Sequence, residues 1–140
     1  MTGYRKLNIE YIIDVANESL EHLYAAREKL DTASKLGIAD MLGGKFFITG
    51  FKHEALYAAQ DELDAAVAAI RELHRWTADM TNTNSLDIDY SEFLQTADLI
   101  FDNIFLDIYA QTKISKAKEA VDHAIAQIEL LLDDAYRGDL

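Results

Sequence analysis

LYAAQDELDAAVAAIREL, residues 56–73, and ISKAKEAVDHAIAQIELL, residues 114–131, carry one apolar pattern at an offset of 58. In the first stretch Leu56, Ala59, Leu63, Ala66, Ile70 and Leu73 recur at alternating spacings of three and four. In the second, Ile114, Ala117, Val121, Ala124, Ile128 and Leu131 repeat the spacing position by position. This is the a/d seam of helices that pack along their length, so each stretch predicts a long helix with one buried edge.

The echo is longer than the seam. Residues 39 to 73 overlay residues 97 to 131 with nine identities: Ala39, Asp40, Phe47, Ala59, Asp64, Ala66, Ala68, Ile70 and Leu73 meet the same residue types 58 positions on. The match begins ahead of the stripes, in ADMLGGKFFITGF against ADLIFDNIFLDIY, which a shared heptad does not explain. The chain therefore reads as one domain of two related halves, about 1–80 and 81–140.

Working outward, proline is absent and no Gly lies between Gly50 and Gly138, so nothing breaks helix over most of the chain. A first helix is predicted from about Asn8 to Leu36, with Asn8 as its cap and Gly37 as its left-handed stop. Its stripe reads Ile9, Ile13, Ala16, Leu20, Leu23, Leu30 and Ala33. A glycine-bearing connection is expected at 37–50, then a second helix from about Thr49 to Met80. The polar run TNTNSLDID separates the halves. Asp89 and Glu92 form a D-x-x-E capping box, with Ile88 and Phe93 at the staple positions, and start a third helix at Tyr90. The stripe of Phe93, Ala97, Ile100, Ile104 and Ile108 is out of phase with the one that follows. A break between about Leu106 and Gln111 is therefore expected, with helices at 90–106 and 111–137. The predicted architecture is all-α, a four-helix bundle of two long antiparallel hairpins.

Composition narrows the function. With 140 residues, half of them apolar, the chain is sized for a single core. It has no Cys, which excludes disulfides, thiolate metal sites and thiol catalysis. A formal charge of −12 argues against nucleic acid, and no Lys or Arg lies between Trp76 and Thr112. No apolar run is long enough for a signal peptide or a membrane span, so a cytoplasmic location is expected.

Carboxylate pairs are the first candidates for chemistry. Asp61 with Asp64, and their echoes Glu119 with Asp122, have the i, i+3 spacing that facing helices use to hold a divalent metal. On the heptad they fall at b and f, away from the seam, and so read as solvated faces. Glu18 with Glu21 and Glu28 with Asp31 read the same way. His22 and His123 are placed at c, His74 at e and His53 near the start of the second helix, so none pairs at metal-ligand spacing. No metal, cofactor or catalytic residue is expected.

The segments 37–53 and 98–111 differ from the rest, because polar residues sit there among many large apolar ones. If they line a pocket, Asp40, Gly43, Gly44, His53, Asp98, Asp102 and Gln111 are its polar and glycine members, and a small molecule or metal ion is its ligand. The competing expectation is that these segments close the open end of the bundle.

Leu36-Gly37, Asp40-Met41, Gly43-Gly44, Lys52-His53 and Ala59-Gln60-Asp61, followed by Ala97-Asp98, Phe101-Asp102 and Lys113-Ile114, resemble the pattern of an uncharacterised family of small helical bacterial proteins. Lys45 stands where that pattern carries a third Gly. The resemblance implies a helical fold and a bacterial cytoplasmic origin, and no activity. The expectation from the residues is a non-enzymatic interaction or scaffold module that binds a protein partner or itself.

Overall fold

The structure is a computed structural model. It describes the backbone of residues 2–41, 45–77, 93 and 110–138, and the side chains of 8–35, 54–77, 93 and 114–138. All of its described elements are helices: α1 (Thr2–Met41), α2 (Lys45–Thr77) and α3 (Ala110–Arg137).

The predicted helix 111–137 is present as α3 to within one residue. Gly138 ends it in the left-handed conformation at φ 77°, donating its N–H to the Ala135 carbonyl at 3.2 Å. A side chain there would be strained, which is why glycine suits the position.

α1 is longer at both ends than expected. It runs through Asn8 and through Gly37, so neither residue is a boundary. One interior glycine costs a helix only about 1 kcal/mol relative to Ala, and without a proline the chain has no stronger stop. The same reasoning corrects the connection expected at 37–50. α1 continues to Met41 and α2 begins at Lys45, taking in Phe46, Phe47 and Gly50. The predicted third helix lies outside the described residues except at Phe93, which is helical and only 5 % exposed. The expected break at 106–111 also lies outside them, up to the start of α3 at Ala110.

The two echoed seams are buried as the pattern requires. Leu56, Ala59, Leu63, Ala66, Ile70 and Leu73 on α2, and Ile114, Ala117, Val121, Ala124, Ile128 and Leu131 on α3, all join one core with α1 and Phe93. Large residues alternate with alanine along both seams, which lets side chains of facing helices interleave.

On α1 the buried line keeps Ala16, Leu23, Leu30 and Ala33 of the predicted stripe and departs from it elsewhere. It runs Ile12, Ala16, Ser19, Leu23, Ala26, Leu30 and Ala33, again at spacings of four and three. Ile9, Ile13 and Leu20 are only partly buried against it. The predicted stripe drifted because Ser19 and Ala26 have little hydrophobicity to mark them. In the corrected heptad Ala16, Leu23 and Leu30 are a positions, and Ile12, Ser19, Ala26 and Ala33 are d positions.

α1 packs against both α2 and α3. Cross-helix partners fix the direction: Tyr11 lies opposite Glu72 and His22 opposite Glu62, while Arg27 lies opposite Asp122 and Asp31 opposite Lys118. Rising numbers on α1 meet falling numbers on each neighbour, so both pairings are antiparallel.

Candidate functional site

With the corrected heptad, each flank of α1 has one neighbour. Its g and c positions face α2, and its e and b positions face α3.

On the α2 flank, His22 Nδ1 and Glu62 Oε2 are 2.7 Å apart, both at g. At one end of the pair of helices, Glu72 Oε1 accepts from the Tyr11 hydroxyl at 3.0 Å and from the Trp76 indole N–H at 2.8 Å. Glu72 Oε2 lies 3.2 Å from the Arg75 guanidinium. The rings of Tyr11 and Trp76 are tilted against each other with centroids 4.7 Å apart, within the range of favourable aromatic pairs. Hydrogen bonds from Trp76 and then Tyr11 hold the Glu72 carboxyl below its usual range, while the bond to Glu72 pushes the Tyr11 hydroxyl up.

On the α3 flank, the Tyr24 hydroxyl donates to Glu129 and Arg27 Nε donates to Asp122. Lys118 Nζ donates to Asp31 Oδ1 at 2.9 Å, and Lys35 Nζ lies 3.0 Å from Asp31 Oδ2. Bonds from Lys118 and then Lys35 bring the Asp31 carboxyl down to about 2. Hydrogen bonding to Glu129 raises the Tyr24 hydroxyl.

These groups redistribute the predicted candidates. Asp61, Asp64 and Glu119 are exposed, in keeping with their b and f positions, and Asp122 is half-exposed against Arg27. Glu18, Glu21 and Glu28 are exposed, whereas Asp31 is held by two lysines. His123 and His74 are exposed. His22 is not at an outward c position; in the true frame of α1 it is at g, half-buried against Glu62. Among the described residues, no three His, Asp or Glu side chains are grouped to hold a metal ion. No described helix is long and apolar enough to cross a membrane.

The side chains of the predicted pocket residues lie outside the described residues. Asp40 is in the last turn of α1, His53 is within α2 and Gln111 is the second residue of α3, but their side chains lie outside the described residues. Gly43, Gly44, Asp98 and Asp102 lie outside them altogether.

The interhelical pairs were missed in the sequence although a signal for them existed. In antiparallel helices with a/d seams, residues of like flank meet, g with g and b with e or b. Once Ser19 is placed on the seam, His22 and Glu62 become facing g residues and Asp31 and Lys118 become facing b and e residues. Comparison of the chain with protein-family models, with curated proteins and with solved structures finds no match in any of the three.

Proposed function

We propose that the chain is a four-helix bundle serving as a non-enzymatic interaction or scaffold module, joined to a protein partner or to a second copy through apolar side chains on its outside. Residues of about 90–106 supply the fourth helix. Two observations support it. Phe93 is helical and belongs to the same core as the three long helices. Val67, at an e position of α2, and Ala120, at a g position of α3, are on flanks turned away from α1 and are nonetheless packed against the core. A helix between those flanks would cover both.

The observation that carries the interaction reading is Leu130, 61 % exposed on α3. Its echo on α2 is Glu72, the carboxylate that clasps Tyr11 and Trp76, so the second half has an apolar residue on the surface where the first has a charge. A leucine exposed to this extent leaves apolar area on the outside of α3 for a partner to cover.

A photo-crosslinking residue placed at 130 tests the reading. It should capture a second copy, or one reproducible protein from the native host, and Leu130→Glu should abolish the association in light scattering. A chain that stays strictly monomeric at high micromolar concentration and captures nothing through residue 130 would overturn it.

A further inference from the structure

α2 and α3 offer α1 nearly the same apolar seam, yet they dock on it at different levels. The echo carries Asp122 onto Asp64. With His22 opposite Glu62, Asp64 falls near Leu20 of α1, whereas Asp122 itself lies opposite Arg27. The two related helices thus meet α1 about one heptad apart, roughly 10 Å along the axis.

A heptad is the shift that such a seam resists least. It returns a positions to a and d positions to d, so the seam still meets a seam. Apolar packing therefore holds α3 on α1 without strongly choosing its level. The choice needs contacts that do not repeat every seven residues.

We propose that the polar flank pairs are a pairing code that sets which helix lies on which side of α1 and at which level. The residues satisfy what such a code requires. On the α3 flank, Tyr24, Arg27 and Asp31 meet Glu129, Asp122 and Lys118, so hydroxyl, cation and anion face anion, anion and cation. A slip of one heptad that carries Asp122 into the place of Glu129 opposite Tyr24 removes it from Arg27 and takes Lys118 from Asp31. Nor can the helices exchange sides. Glu62 and Glu72, which bind His22 and Tyr11, correspond to Ala120 and Leu130 on α3, and Lys118 corresponds to Gln60 on α2. Flanking charges of this kind set partner and orientation in helical pairs even where each adds little to stability.

The absence of cysteine makes the level directly measurable. Asn17 on α1 and Tyr136 on α3 are b positions outside the code, and in the native register they lie opposite each other. Glu10, one heptad earlier on α1, takes the place of Asn17 after the slip. A short bis-maleimide should join the Asn17→Cys, Tyr136→Cys pair in the native chain and leave the Glu10→Cys, Tyr136→Cys pair unjoined. With Asp122→Asn, Lys118→Gln and Glu129→Gln added, both pairs should be joined to comparable extents. If that chain keeps its helical circular dichroism and still joins only residues 17 and 136, the code is refuted.

Should the triple substitution fail to fold, charge reversal decides. Arg27→Asp alone should admit the slipped product, and Arg27→Asp with Asp122→Arg should restore the native one alone. A single reversal that leaves the native product unaccompanied would overturn the proposal.

Discussion

Ser19 is fully buried at a d position of α1, with its hydroxyl donated to the Val15 carbonyl of its own helix at 2.9 Å. Because that hydroxyl is satisfied one turn back in its own helix, Ser19→Ala should leave stability within about 1 kcal/mol of the native value or raise it. Ser19→Leu should overfill the layer and cost about 1–3 kcal/mol. Urea unfolding of the two variants separates these outcomes.

Asp31 gives the clearest pH dependence. Its carboxyl is depressed to about 2 by Lys118 and Lys35, so its contribution is complete above the ordinary carboxylate range and is lost as pH falls from about 4 toward 2. The side chain is 43 % exposed, and salt should weaken the effect. Asp31→Asn should remove this part of the acid-induced loss while slightly destabilising the chain at neutral pH. Unfolding curves from pH 7 to pH 2, at low and high salt, test both halves of the expectation.

At the scale of the element, what the sequence discloses depends on how sharply the seam is drawn. Helices α2 and α3 were legible because Leu, Ile and Val alternate with Ala at strict spacing and every one of those positions is buried. The α1 stripe was only half legible. Ile9, Ile13 and Leu20 are strongly apolar but lie beside the seam, while Ser19 and Ala26 lie on it and advertise nothing. Gly37 misled for a related reason, since a glycine that looks like a stop is also tolerated inside a long helix held by packing. The flank pairs became readable only after α1 was placed in frame. The residues of the predicted pocket lie outside the described side chains.

The same elements predict a steep contrast between inner and outer leucines. Leu63 is 1 % exposed on the α2 seam, so Leu63→Ala should cost about 2–5 kcal/mol through lost burial and the cavity left behind. Leu130, on the outside, should tolerate Ala within about 0.5 kcal/mol. Gly138 closes α3 with open space around the position of a Cβ, so the cost of Gly138→Ala is confined to its positive φ, about 1 kcal/mol. Chemical denaturation followed by circular dichroism ranks the three.

Across the whole molecule, the echo at an offset of 58 is a statement about architecture. It produces two helices with interchangeable seams, and both bury those seams in one core against α1. The carboxylates that the echo also duplicates do not form a paired site. Asp61, Asp64 and Glu119 face outward, and Asp122 is bound to Arg27. What distinguishes the halves is carried on the flanks and on the surface, in contacts such as Glu72 with Tyr11 and in its unlike echo Leu130.

The central claim is that α1 lies between α2 and α3 and shares one core with both. Nuclear Overhauser contacts from the methyl groups of Leu23 and Leu30 test it most directly, because both residues are a positions buried to 1 % or less. In a methyl-labelled sample they should show contacts to seam residues of α2 and of α3 together. Contacts to only one of the two helices, or to seam residues of either helix in parallel order, would contradict the account.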